Sequence, residues 1–141
     1  MKPTLLYRIA SVLFILFAAG HTVGFLRFIP PNAEGVAVRE AMRNVHFTIG
    51  SGTYNYAGFY DGFGLSLSVY LLFAAFLAWH LGSLAKRNST AIGALGWVFC
   101  AMQTAQLAIC LIYFFPPPII FSALLVLCLG AAAWRLRTAA G

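Results

Sequence analysis

The polar side chains that lie inside apolar stretches are the residues of this chain best suited to chemistry. Asp61 is the only acidic residue within any hydrophobic segment, and a carboxylate inside a membrane needs a partner, a watery cavity or a proton. His21 lies in the preceding hydrophobic segment, at a depth that helix geometry predicts to be similar to that of Asp61. The two form either an acid/base pair at a site or a buried pair that locks two helices together. A third interpretation places Asp61 near enough to the surface to meet Arg27 or Arg43.

A third apolar segment adds polar groups to this set. Gln103, Gln106 and Tyr113 share one stripe of the helix that the segment predicts. Polar residues on membrane helices usually face the interior of the bundle. Together with His21 and Asp61, they form a candidate ligand-binding pocket in the outer half of the membrane, to which no catalytic residue is assigned.

Glycine pairs flank both central residues. Gly20 and Gly24 bracket His21, and Gly58 and Gly62 frame Asp61. Small residues four positions apart let a second helix approach closely. We therefore expect these four glycines to serve helix packing rather than ligand binding.

The sequence predicts no metal ion and no cofactor. Cys100, Cys110 and Cys128 lie in apolar segments without metal-binding spacing, so they are predicted to be buried free thiols. His21 and His80 lie at opposite depths, so one chain cannot hold a haem between them. No phosphate-binding loop, nucleophile elbow or zinc-protease motif occurs.

The elements that carry these residues are membrane helices. The chain has 141 residues, of which 62% are hydrophobic and 9% charged, and its mean hydropathy is +0.87, outside the range of soluble globular proteins. The net charge of +6 gathers at the ends of the apolar spans. The lipid bilayer is therefore the predicted partner, and nucleic-acid binding is excluded.

Four spans are long enough to cross a bilayer. We predict an all-α membrane protein with a single domain, built as a four-transmembrane-helix bundle with an outer loop over 29–55. Within that loop, apolar residues at helical spacing over 33–49 predict an amphipathic helix on the membrane surface, between the first and second spans. The predicted spans cover about 9–28, 56–81, 91–115 and 117–134.

Basic residues set the predicted orientation. Six fall on one side and three on the other, and both termini are therefore predicted to be cytoplasmic. The larger group is Lys2, Arg8, Lys86, Arg87, Arg135 and Arg137, and the smaller is Arg27, Arg39 and Arg43. Trp79, Trp97 and Trp134 lie near the same inner ends, as interfacial tryptophans do.

Four stretches give the chain a family resemblance that covers nearly its whole length. They are residues 6–10 (LYRIA), 18–25 (AAGHTVGF), 59–65 (FYDGFGL) and 91–97 (AIGALGW). With these residues the chain resembles a family of small bacterial four-span integral membrane proteins. The resemblance implies a multi-pass protein of the bacterial inner membrane, and it implies no particular activity or cofactor.

Three functions remain open at this point. The leading hypothesis is a non-catalytic accessory or assembly component of a membrane complex, with other membrane subunits or further copies of the chain as partners. The alternative is a binder or enzyme for a lipid-soluble small molecule, such as a quinone, isoprenoid or lipid, that uses the outer pocket. The third is a small oligomeric transporter, in which one intramembrane carboxylate per subunit suffices.

Overall fold

The computed structural model describes residues 1–140, with side chains described through Thr138. These residues form five α-helices and one β-hairpin. The elements in chain order are α1 (Pro3–Leu26), α2 (Ala33–Asn44), β1 (His46–Ile49), β2 (Gly52–Asn55), α3 (Tyr56–Arg87), a 3₁₀ turn (Ser89–Ile92), α4 (Leu95–Tyr113) and α5 (Pro116–Ala140).

Four of these helices, α1, α3, α4 and α5, are long and apolar enough to cross a membrane. The predicted all-α class with four spans is therefore confirmed. The helix bounds differ from the predicted spans at the ends. The helix α1 starts at Pro3, α3 continues through Lys86 and Arg87, and α4 starts only at Leu95. Gly93, with a φ of 48°, ends the 3₁₀ turn before α4.

The prediction of one helix over 33–49 is wrong beyond Asn44. The helix α2 begins at an Asn32 cap, whose Oδ1 accepts a hydrogen bond from Gly35 N at 2.9 Å, and it ends at Asn44. The next residues pair as an antiparallel hairpin, with Ile49 opposite Gly52. Gly50, with a φ of 62°, occupies the two-residue turn, where a positive φ is required.

Contacts divide the chain into two compact units, residues 1–17 with 71–141 and residues 18–70. The single predicted domain remains a prediction. In the first unit, the residues of α1 that face the core recur every three or four positions, as one face of a helix does. Its aromatic members stack on the neighbouring helices: Phe14 lies 5.6 Å from Phe99 and Phe17 lies 5.2 Å from Phe121, between ring centroids. Ser11 also donates to the carbonyl of Ala75 on α3 at 2.8 Å.

In the second unit, an aromatic cluster ties the hairpin to the start of α3. The Phe47 ring lies 4.9 Å from that of Tyr56 and 5.9 Å from that of Phe59. The helix α2 is held to the segment that follows α1 by Arg39, whose Nη1 donates to the Phe28 carbonyl at 2.6 Å. No residue of α2 is buried.

Candidate functional site

The hydrogen-bond partner of His21 is the backbone of α3 rather than Asp61. Its Nε2 lies 2.9 Å from the carbonyl oxygen of Gly64, and a carbonyl only accepts, so Nε2 carries the hydrogen. The imidazole stacks on Phe25 at 5.8 Å between ring centroids. In this arrangement Nε2 holds two helices together and does not act as a base.

A hydroxyl pair lies next to His21. Thr22 donates to the Ala18 carbonyl of its own helix at 2.7 Å. Thr22 Oγ1 also lies 2.7 Å from Ser68 Oγ. Because Thr22 has already used its one hydrogen, Ser68 is the donor of this interhelical bond. Thr22 was not among the residues predicted for the site. Its position next to His21 is the only feature of the sequence that points to it.

Asp61 lies on an exposed part of α3. Tyr60, its neighbour, packs against Phe25 with ring centroids 5.4 Å apart, and one residue along a helix turns the side chain by about 100°. Within the part of the chain that the structure describes, Asp61 forms no ion pair, and neither Arg27 nor Arg43 approaches it. The predicted pairings of Asp61 with His21, Arg27 or Arg43 are therefore absent.

The four glycines predicted to pack do not contact another helix. A Cβ placed on Gly20, Gly24 or Gly62 meets no atom within 4 Å, and one placed on Gly58 meets only Asn55 Oδ1, at 3.3 Å. That asparagine oxygen caps α3 by accepting from Gly58 N at 2.7 Å. This part of the prediction is wrong for contacts within the chain.

Among the glycines of the four long helices, the closest approaches of another helix occur at three other positions. A Cβ on Gly64 would collide with the Phe25 ring, and one on Gly96 would lie 2.6 Å from the Tyr7 hydroxyl. A Cβ on Gly82 would lie 3.3 Å from the carbonyl oxygen of Thr4. None of these glycines belongs to the pairs that the spacing singled out.

The three predicted site residues of α4 have different surroundings. Gln103 is only 6% exposed, and its Nε2 is buried without a hydrogen-bond partner. Gln106 Nε2 donates to Cys110 Sγ at 3.6 Å, and that sulfur lies 3.6 Å from Ser122 Oγ. Tyr113 is 76% exposed, about 15 Å along the helix from Gln103.

The sequence predicts that the three cysteines are buried free thiols; the free state is confirmed, but burial is confirmed only for Cys110. All three cysteines are unpaired; Cys110 is buried, and Cys100 and Cys128 are half-buried. Within the described residues, no group of three or more His, Cys, Asp or Glu side chains is placed to hold a metal ion.

An arginine on α1 forms a contact that the sequence analysis missed. The Arg8 guanidinium carbon lies 3.2 Å above the centre of the Trp79 ring, and Nη2 donates to Ser83 Oγ at 2.9 Å. Arg8 Nη1 is buried without a partner, as is the hydroxyl of Tyr7. In the sequence, Arg8 counted only toward orientation, because nothing in its spacing indicates a stacked tryptophan 71 positions away.

Comparison with known protein families, curated proteins and solved structures finds no match to this chain. The resemblance to small bacterial four-span proteins therefore stays a prediction. The evidence for the candidate site is therefore its geometry alone.

Proposed function

We propose that this protein is a non-catalytic component of a bacterial inner-membrane assembly. In this assembly, the outer parts of α1 and α3 bind a transmembrane helix from another subunit or from a second copy of the chain. Both termini lie in the cytoplasm. The observation that carries the proposal is that Gly20, Gly24 and Gly62 have packing spacing, while no atom of the described residues lies within 4 Å of a Cβ placed on them.

Glycine within a helix costs about 0.5–1 kcal/mol relative to alanine. Inside the chain, Gly20, Gly24 and Gly62 offset none of that cost by close packing. In membranes, the same spacing allows two helix backbones to approach and gain van der Waals contact. A helix from outside the chain could therefore pack against these glycines, because no internal neighbour occupies the space beside them.

The exposed carboxylate of Asp61 supports the same proposal. On insertion scales a charged side chain costs about 2.5–3.5 kcal/mol at the centre of a membrane helix, and less nearer the surface, where Asp61 lies as the sixth residue of α3. Among the described residues, Asp61 has no ion pair to offset its cost. A partner helix with small residues and a basic residue near its outer end would satisfy both features. A second copy carries both, in Gly20, Gly24 and Arg27.

Bulky substitutions at the unoccupied glycines test the proposal. Gly24→Ile and Gly62→Ile are expected to leave the chain folded, because no internal atom lies within 4 Å of the added Cβ. Both should release the tagged chain from its complex, as measured by native electrophoresis and crosslinking of bacterial membranes. Energy transfer between two labelled copies in vesicles distinguishes self-association from a different partner.

The matched control is Ala105→Ile, which introduces the same side chain at an exposed position of α4 and should leave the complex intact. The proposal is wrong if the wild-type chain migrates as a monomer and crosslinks to nothing. It is equally wrong if Ala105→Ile disrupts the complex as strongly as the glycine variants do.

Ligand binding remains the alternative because of one observation, the buried and unpartnered Nε2 of Gln103. A buried donor without a partner costs about 1–3 kcal/mol, and the carbonyl oxygen of a quinone or similar lipophilic molecule would accept its hydrogen. Gln103→Met distinguishes the two functions. Under the alternative, mass spectrometry of solvent extracts shows loss of a co-purifying molecule. Under the leading proposal, the extracts are unchanged and the variant unfolds at a higher temperature.

A further inference from the structure

Two grooves lie between the start of α4 and the end of α5, on either side of Trp97. The first has a volume of about 640 Å³ and is lined by Trp97, Gly130, Ala131, Trp134, Arg135 and Thr138. The second has a volume of about 370 Å³, and Ser89, Thr90, Gly96, Ala133 and Arg137 are among its lining residues. Neither groove is lined by a residue of the predicted pocket, so they are a separate feature of the molecule.

The charged side chains in the unit that contains these grooves are all basic. The three acidic residues of the chain, Glu34, Glu40 and Asp61, all lie within 18–70, so 1–17 and 71–141 contain no aspartate or glutamate. Arg135 and Arg137 are exposed at the rims. This unit has no acidic side chain to serve as their counter-ion, and an anion is the chemistry that the grooves fit.

Hydrogen-bond donors without partners add to this fit. The cap of α4, Ala94, supplies no side-chain hydrogen bond to the helix start, where free N–H groups favour an anion. Gly96 lines the second groove. The Ser89 hydroxyl, which also lines this groove, is suited to a phosphate oxygen, whereas Thr90 donates its hydrogen to Asn88 Oδ1 at 2.7 Å.

An apolar stripe leads away from the first groove along α5. Its members are exposed and recur every three or four residues, so they lie on one face of the helix. They are Ile120, Leu124, Leu127, Ala131 and Trp134. The stripe extends about 20 Å, the length scale of an acyl chain. A soluble phosphate compound has no apolar chain to contact this stripe, whereas a phospholipid has both a phosphate for the groove and an acyl chain for the stripe.

We propose that the grooves beside Trp97 bind the headgroup of an anionic phospholipid, with its phosphate at Arg135 in the first groove and an acyl chain along the α5 stripe. Arg137, two positions further along α5, lines the second groove and adds a positive charge on the other side of the helix. Tryptophans at membrane–water interfaces lie at headgroup level, which agrees with Trp97 and Trp134 at the groove walls. This inference concerns a separate surface and does not depend on the proposed assembly through α1 and α3.

Tryptophan quenching by brominated lipids tests the inference in reconstituted vesicles. The chain has three tryptophans, and Trp79→Phe leaves only the two that line the first groove. Brominated phosphatidylglycerol in phosphatidylcholine is compared with brominated phosphatidylcholine in phosphatidylglycerol at equal mole fraction. One basic residue near an anionic surface strengthens attraction about fivefold, so we expect phosphatidylglycerol to be preferred by at least about fivefold. The unsubstituted chain, with Trp79 as a constant background, provides the same comparison if the variant folds poorly.

Charge-matched variants give the decisive comparison. Arg135→Gln with Arg137→Gln should reduce the preference to about onefold, while Lys86→Gln with Arg87→Gln removes the same charge from residues outside both grooves and should preserve it. Equal quenching by the two lipids in the unsubstituted chain overturns the inference, as does an equal loss in both double variants. Displacement of the lipid by soluble glycerol 3-phosphate also overturns it, because the site would then serve a soluble phosphate compound.

Discussion

Side-chain donors in this chain hydrogen-bond repeatedly to helix carbonyls. Ser11 bonds the carbonyl of Ala75, and His21 bonds that of Gly64. Each such bond satisfies a polar group inside an apolar segment without requiring a second polar side chain, which matters where water is absent. The Thr22–Ser68 pair differs from these bonds, because it joins two hydroxyls across α1 and α3.

We predict a measurable coupling between Thr22 and Ser68. In a double-mutant cycle with Thr22→Val and Ser68→Ala, the coupling should be about 0.6 kcal/mol, with an upper bound of about 1.7 kcal/mol. The measurement is unfolding of all four proteins in lipid–detergent micelles. Thr104→Val is the matched control, because Thr104 bonds only Cys100 of its own helix, and it should change the unfolding free energy by less than about 0.5 kcal/mol. Strictly additive effects of the two substitutions would contradict the prediction.

The contact between Tyr7 and Gly96 gives a second prediction at this scale. Gly96→Ala should destabilise the chain by about 1–3 kcal/mol, because its Cβ would lie 2.6 Å from the Tyr7 hydroxyl. Tyr7→Phe removes that unpartnered hydroxyl and should restore most of the loss. Thermal unfolding of the two single variants and the double variant measures this rescue.

Gly20→Ala is the control for the same exchange at an open position, where no atom lies within 4 Å of the new Cβ. This substitution should cause no loss of stability, and helix propensity favours a gain of about 0.5–1 kcal/mol in the free energy of unfolding. If Gly96→Ala is as harmless as Gly20→Ala, the close approach of Tyr7 has no energetic consequence.

Among the elements, residues 33–55 show how turn chemistry can override helical spacing. Val38, Met42, Val45 and Ile49 recur at intervals of three or four, which favours one helix through Ile49. The same stretch ends in β-branched and aromatic residues followed by Gly50–Ser51, a two-residue hairpin signal. Glycine supplies the positive φ that this turn needs, and the strands then pair.

A disulfide across the hairpin tests its register. Thr48 and Thr53 are opposite each other and exposed, and Cβ atoms of opposite residues are about 4.5–5.5 Å apart. In a background without the native cysteines, Thr48→Cys with Thr53→Cys should form a disulfide on mild oxidation, detected as two thiols protected from alkylation. Thr48→Cys with Ser51→Cys is the mismatched control. Equal protection in both pairs would refute the register.

For the whole molecule, orientation remains the prediction with the widest consequences. The six basic residues of the predicted inner side all fall in 1–17 and 71–141, and the three of the outer side fall in 18–70. In intact bacteria, an impermeant thiol reagent should modify a cysteine introduced by Asn32→Cys and should leave one introduced by Ser89→Cys unmodified. Permeabilised cells, in which both are modified, are the control. The reverse pattern would invert the topology and place the grooves beside Trp97 at the outer surface.

The sequence by itself determined the number and approximate position of the membrane helices. Bilayer thickness and the need to satisfy every backbone group inside lipid act on one segment at a time, so length and hydropathy are enough to predict a span. Prolines mark the helix ends for a similar local reason. Pro30 follows α1, and Pro116 begins α5.

Only the tertiary structure decided which faces of those helices meet. Gly20, Gly24 and Gly62 have the spacing of packing glycines, yet no atom of the described residues lies within 4 Å of a Cβ placed on them. Gly64, Gly82 and Gly96 are instead approached closely by Phe25, Thr4 and Tyr7. Helical periodicity groups residues into stripes, but it assigns no stripe to a neighbour. That assignment depends on side chains from distant positions, which is why the sequence placed His21 opposite Asp61 and the fold placed it against the Gly64 carbonyl.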